Sequence, residues 1–216
     1  MSKTIKNNYA IVFADVSGST KLYDTLGNAV AEKKISDCLE IMKSITESNN
    51  GTVIKTIGDE IMSNFSSADD AATAALEMQV TLESSDLGLS IRVGMQYGEA
   101  IERDGDIYGD AVNVAARMAG VAKAKQIITT EYLVSELNEV LAGHARLFDT
   151  AKVKGKEEEL KIYQINWEEE SDVTKFSSTT DINQLSGATS SIVLRYSNRE
   201  KILTNSDLHS AIVIGK

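Results

Sequence analysis

The chain has 216 residues, 42% of them hydrophobic and 25% charged, which is ordinary for a globular protein with a core of normal size. The formal net charge of −10 argues against a nucleic-acid partner, whose phosphates are held mainly by Lys and Arg, but not against a nucleotide that arrives with its metal. The lone cysteine, Cys38, excludes an internal disulfide framework and a Cys-based zinc cluster; the chain also lacks the run of about 20 apolar residues that a membrane span needs.

The N-terminus, MSKTIKNNYA, has no apolar signal segment, so the expected location is the cytoplasm, with no membrane partner. Asn8 to Asp15 (NYAIVFAD) is a β-branched and aromatic run ending in an acid, the pattern of a buried strand. SGST follows with turn and helix-cap composition. From Asn28 to Ser48, Ile35, Cys38, Leu39, Met42 and Ile45 recur at helical spacing, and Asn49-Asn50-Gly51 ends the helix.

Thr52 to Ile57 and Glu60 to Phe65 are strand-like runs separated only by Gly58-Asp59, a tight-hairpin signal. Ala68 to Leu82 reads as a helix, and Leu89 to Tyr97 with Glu99 to Arg103 as a further pair of strands. Gly109 to Ala119 reads as an Ala-rich helix, Gln126 to Thr129 as a short strand, Glu131 to Leu141 as a helix, and Ala145 to Val153 with Leu160 to Asn166 as a closing hairpin. Hairpins set between helices predict an α+β layered fold rather than a doubly wound parallel sheet.

After Trp167 the composition changes. Glu168 to Ser190 is rich in Glu, Ser and Thr, as in a flexible linker, and strand-like alternation returns from Ser191. The expected organisation is a domain over 1–169, a linker over 170–190 and a β fragment over 191–216.

Two acids stand at turn-like positions. Asp15 ends a strand and Asp59 sits in a hairpin turn; if the strands are neighbours, both carboxylates leave the same sheet edge. Facing carboxylates repel unless a divalent cation lies between them, and Mg²⁺ favours one or two carboxylates plus substrate phosphates. The plainer alternative is a helix cap and a turn residue. In DGDIYGDAVNVAARM, Asn113 and Arg117 are four residues apart and share a helix face among small and apolar neighbours. An Asn and an Arg on an otherwise buried helix need partners; an anionic ligand supplies them, and so does an intramolecular acid. VKGK (Val153 to Lys156) offers a lysine between the closing strands, or simply a solvated turn.

FADVSGST, VIKTIGDEIMSNF, GDIYGDAVNVAARM and VKGK, in this order, resemble the blocks of class III adenylyl/guanylyl cyclase catalytic domains, and the match covers residues 8 to 166. The resemblance implies a ferredoxin-like βαββαβ core with extra strands and helices. It also implies a homodimer with two equivalent sites at its interface. Asp15 and Asp59, with the Val16 carbonyl, would hold two Mg²⁺ or Mn²⁺ ions per site. Lys55 and Asp106 would read the base, an ammonium donating to adenine N1 and a carboxylate accepting from the N6 amine, a pattern mismatched to guanine. Asn113 would orient the ribose, Arg117 would meet charge developing on the α-phosphate, and Lys154 would hold the β- and γ-phosphates. The amides of Ser19 and Thr20, opening a helix, would cradle the terminal phosphate.

The implied reaction is in-line attack of the ribose 3′-hydroxyl of ATP on its α-phosphate, giving cyclic AMP and pyrophosphate with two metal ions at the site. Ser19 departs from the family, many of whose members carry Phe there. A guanylyl cyclase would share the metal and phosphate residues but is expected to carry a Glu and a small residue in place of Lys55 and Asp106. A catalytically inactive, nucleotide-sensing dimer is the alternative from another class; the resemblance to diguanylate cyclases stops at Gly58-Asp59-Glu60. SSIVLRYSNREKILTNSDLHSAIVIGK resembles the opening of a forkhead-associated (FHA) domain, which implies a phosphopeptide partner only where such a domain is complete.

Overall fold

The computed structural model describes residues 5–152, 159–168, 192–196 and 199–203. Contacts divide the chain into two units, Met1–Glu168 and Glu169–Lys216. The first unit runs β1 (Ile5–Val16), α1 (Ser19–Leu26), α2 (Asn28–Ser48), β2 (Thr52–Ile57), β3 (Glu60–Phe65), α3 (Ala68–Glu83), β4 (Ile91–Arg103), β5 (Asp106–Tyr108) and α4 (Asp110–Val121). It continues through β6 (Ile127–Thr130), α5 (Glu131–Val134), α6 (Glu139–Ala142), β7 (Ala145–Lys152) and β8 (Glu159–Ile165).

These strands form one sheet in the order β2-β3-β1-β4-β6-β8-β7, with β5 paired to β4. Only the β4–β6 pairing is parallel. Within it, β1–α2–β2–β3–α3–β4 is the expected βαββαβ core, its four strands antiparallel in the order β2-β3-β1-β4. The α+β expectation holds.

Strand alternation assigns the two faces. Ala10, Val12, Ala14 and Val16 pack with Ile35, Leu39 and Met42 of α2 and Ala71, Ala75 and Met78 of α3. The intervening Tyr9, Ile11 and Phe13 pack with Met62 and with Ala111, Ala115 and Ala119 of α4. Period-2 alternation therefore sends Asp15 to the α4 side. The reason α4 can lie so close is Gly94 on β4, where a Cβ would stand 1.9 Å from the Ala119 backbone nitrogen.

Four elements differ from the sequence expectation. β4 is a single strand through Gly98, because its backbone pairs with β1 along the whole length from Ile5↔Glu102 to Val16↔Ile91. SGST opens a separate helix, α1, short and with none of its residues fully buried, its Leu22 packing at the edge of the core. The short strand β5 is an addition. The helix expected over Glu131 to Leu141 is two short ones, divided where the Asn138 side chain caps α6 by accepting from the amides of Val140 and Leu141. In the second unit, β9 (Ile192–Tyr196) and β10 (Arg199–Leu203) pair antiparallel.

Candidate active site

The end of β1 and the β2–β3 turn meet through a backbone bond in which the Val16 amide donates to the Asp59 carbonyl at 3.2 Å. Asp15 lies directly across from Glu60 on β3 and from Arg92 on β4. The three acids Asp15, Asp59 and Glu60 therefore gather at one sheet edge with one cation. Arg92 donates through Nε to Oδ2 of Asp15 at 2.6 Å, and its Nη2 lies 2.6 Å from the same oxygen in the ion pair. No hydrogen bond to the other oxygen occurs among the described residues.

Burial raises the Asp15 pKa above the ordinary carboxylate value, the Arg92 hydrogen bond opposes that rise, and the charge of Asp59 adds to it. Glu60 is pushed up to about 7, first by burial and then by the Asp15 charge. Carboxylates held together against their mutual repulsion suit a divalent cation. Among the described residues, no group of three or more His, Cys, Asp or Glu side chains is arranged to enclose a metal ion. Two carboxylates with room for phosphate oxygens are the donor set Mg²⁺ favours, so these residues fit such an ion.

Lys55 and Asp106 form a second centre. They are 51 residues apart in sequence, and Lys55 Nζ donates to both carboxylate oxygens of Asp106 at 2.8 and 2.7 Å. Their meeting follows from packing: Ile107 is buried in the cluster of Tyr9, Ile11, Phe13 and Met62, while Lys55 lies across from Met62 in the β2–β3 ladder. The Lys55 hydrogen bond, chiefly, lowers the Asp106 pKa below the ordinary value.

Asn113 and Arg117 do share one face of α4, but not a buried one. The helix buries Ala111, Ala115, Met118 and Ala119 and turns Asn113, Ala116, Arg117 and Gly120 to the surface. The expectation of an otherwise buried helix is thus corrected. Four small or apolar residues supply the buried stripe, and the two polar ones fall on the opposite side of the helix. Neither side chain makes a hydrogen bond or ion pair among the described residues. Ser19 and Thr20 stand in the first turn of α1, where amides have no intrahelical acceptor, behind the left-handed Gly18 at φ 75°. Lys154 lies outside the described residues.

Arg92 and Glu60 are the site members that sequence reasoning passed over. Their signals are a cation inside the apolar run Ile91-Arg92-Val93, and an acid next to the turn aspartate in Gly58-Asp59-Glu60.

A mixed sheet thus sets paired aspartates, a Lys–Asp pair and an exposed Asn/Arg helix face on one domain. The sequence profile of the adenylate and guanylate cyclase catalytic domain matches residues 1–167, and the chain belongs to that family. An adenylate cyclase of Anabaena cylindrica is 31% identical over 180 residues, 72% of this chain and 36% of that protein. An adenylate cyclase of Streptomyces coelicolor is 26% identical over 137 residues, 62% of this chain and 35% of that one. The chain thus spans about a third of the length of these relatives. The fold matches the adenylyl cyclase CyaB from P. aeruginosa with a TM-score of 0.66 at 23% identity, covering 76% of this chain and 96% of that one. It also matches the catalytic core of a rhodopsin-guanylyl cyclase with converted specificity, in complex with ATPαS, with a TM-score of 0.68 at 19% identity, covering 76% and 98%.

Proposed function

We propose that the chain forms 3′,5′-cyclic AMP and pyrophosphate from ATP at two equivalent sites shared between two copies. The observation that carries the choice of ATP is the Lys55–Asp106 pair, one donor and one acceptor held side by side. Adenine offers that pair an acceptor at N1 and a donor at N6; guanine offers the reverse.

Asp15 and Asp59, with the Val16 carbonyl, hold two Mg²⁺ or Mn²⁺ ions when the nucleotide binds. Those ions supply Lewis-acid activation of the 3′-hydroxyl and charge neutralisation on the leaving pyrophosphate. Arg92, paired with Asp15, would add a cation to the same edge, where a phosphate oxygen could meet it. The Ser19 and Thr20 amides cradle the terminal phosphate, and Lys154 holds the β- and γ-phosphates. Asn113 orients the ribose, and Arg117 stabilises charge developing on the α-phosphate.

Asn113 and Arg117, exposed and without a side-chain partner among the described residues, support a site completed by a second copy, since such side chains can meet a nucleotide held by another chain. In the second unit, we read residues 191–216 as the opening of an FHA-like domain behind a linker over 170–190. The catalytic domain occupies 1–169, and a phosphopeptide is a partner only where the FHA domain is complete.

The test is to incubate the purified chain with ATP or GTP and Mg²⁺ or Mn²⁺ and to identify the nucleotide formed. Cyclic AMP from ATP supports the reading. Cyclic GMP as the main product contradicts the base-reading assignment, and no cyclic product from a folded chain that binds ATP contradicts the activity.

A further inference from the structure

Trp167, the sole tryptophan of the chain, stands at the end of the first unit, which closes at Glu168. Its indole is half-buried against the core cluster of β1, α2 and α3, and its Nε1–H donates to the Lys125 carbonyl at 2.7 Å. Lys125 lies in the turn before β6 with φ at 66°, a left-handed conformation that a residue bearing a Cβ rarely adopts. Such a backbone persists where its surroundings fix it from several sides. Here the Lys125 amide donates to the Ile91 carbonyl at 2.7 Å, its carbonyl accepts from Trp167, and its Nζ donates to Oε1 of Glu83 at 2.8 Å.

The same turn grips β4 on both sides of Arg92. Lys125 holds Ile91, and the Val93 amide donates to the Gln126 carbonyl at 2.9 Å. The Gln126 side chain is tied in turn to the end of β8, donating through Nε2 to Oε1 of Gln164 at 3.0 Å. Beyond this point β4 and β6 are in register only at Val93↔Ile127 and Gly94↔Ile128, so the turn anchors the first residues of β4 on that side. Arg92, between the two gripped residues, lies opposite Asp15 and gives its guanidinium to Oδ2. A continuous set of bonds thus runs from the end of the first unit to the carboxylate edge.

We propose that Trp167, acting through Lys125, is a positioning residue that holds Arg92 on Asp15 and so sets how tightly the edge takes a divalent cation. The inference rests on reading Asp15 as a metal ligand. A guanidinium and a metal ion compete for one carboxylate, since each neutralises the charge that attracts the other. With the indole bond in place, the Ile91–Val93 backbone is fixed and Arg92 stays on Oδ2. Without it, the strained turn relaxes, Arg92 leaves Asp15 more often, and the carboxylate is more open to a cation. The direction of the effect separates two roles. A site that merely loses structure binds metal more weakly, whereas one that loses a competing cation binds it more tightly.

Trp167→Phe removes the N–H and keeps an aromatic ring against the core. Because no other tryptophan is present, a chain made with an analogue carrying sulfur in place of the indole N–H changes that one group and keeps the size of the ring. Both are compared with the unaltered chain in two measurements. One is hydrogen exchange of the Arg92 Nε–H by NMR, its resonance assigned by its loss in Arg92→Lys. The other is Mn²⁺ binding without nucleotide, read from the EPR signal of the free ion. The expected result is faster exchange and a lower Mn²⁺ dissociation constant, each on the order of fivefold, the scale of one lost hydrogen bond. Unchanged exchange, or Mn²⁺ binding that is unchanged or weaker, overturns the proposal. Equal Mn²⁺ binding by the unaltered chain and Asp15→Ala marks a failure of the metal assignment itself; the exchange measurement then decides whether Trp167 positions Arg92.

Discussion

The Val16 amide and the Asp59 carbonyl, joined at 3.2 Å, tie the end of β1 to the β2–β3 turn and bring Asp15 and Asp59 to one sheet edge. A local backbone bond thereby fixes the relation of two side chains on which the proposed chemistry depends. Asp59→Ala keeps this bond, since only the side chain is lost. The expected outcome is an unchanged melting temperature with cyclic AMP formation reduced at least about 10³-fold, the scale of several kcal/mol of metal-derived stabilisation. Retention of more than a tenth of the activity contradicts the assignment.

Much of this was legible in the sequence, because strong local signals coincide with the parts that matter. Gly58-Asp59 between two strand-like runs is a strong hairpin signal, and the Ile35, Cys38, Leu39, Met42 and Ile45 spacing appears as the buried stripe of α2. What the sequence did not show is tertiary. Arg92 reads as an interruption of an apolar strand until the β1–β4 register sets it opposite Asp15. The exposure of Asn113 and Arg117 depends on which side of α4 meets the sheet, and with small residues on both sides of that helix (Ala111, Ala115 and Ala119 on one, Ala116 and Gly120 on the other) the close approach at Gly94 settles the choice. α1, only eight residues long with Leu22, Tyr23 and Leu26 as its apolar stripe, is too short for helical spacing to stand out beside the turn signal of SGST.

Gly94 gives a test of how α4 is positioned. A Cβ there would lie 1.9 Å from the Ala119 nitrogen and 2.5 Å from the Ala115 carbonyl oxygen, both backbone atoms of a helix that cannot yield locally. Gly94→Val is expected to cost at least about 1–3 kcal/mol, the usual range for overpacking, and to move Asn113 and Arg117 with the helix. Thermal unfolding followed by circular dichroism measures the first effect, and kcat of the remaining folded protein the second. A melting temperature equal to that of the unaltered chain would show that α4 is not held against β4 at this point.

Glu60 makes the metal-free protein sensitive to pH. Its carboxyl titrates near 4.5 when solvated and at about 7 in the folded chain. Between these values the folded state binds more protons than the unfolded one, so its stabilising contribution is complete below about 4.5 and is lost as pH rises through about 7. In the presence of a chelator, the melting temperature of the unaltered chain relative to Glu60→Gln is expected to fall from pH 5 to pH 8. Parallel curves for the two proteins across that range would contradict the account.

Cys38 is wholly buried on α2, and burial pushes its thiol up to about 12. The thiolate that reacts with alkylating reagents is therefore scarce as well as inaccessible. Iodoacetamide at pH 8 is expected to leave Cys38 unmodified in the folded chain and to label it after denaturation, as read by mass spectrometry. Rapid labelling of folded protein would place the thiol at the surface.

The central claim is that one copy supplies Asp15 and Asp59 to a site where a second copy supplies Asn113 and Arg117. It is tested most directly by mixing two inactive variants, Asp15→Ala and Arg117→Ala, after unfolding and refolding them together at equal concentration. Half of the resulting dimers pair one variant with the other, and each of these carries one site with both groups intact. The account predicts recovery of cyclic AMP formation to about a quarter of the unaltered activity, from two variants each inactive alone. A mixture as inactive as either component, with mixed dimers present, would contradict it.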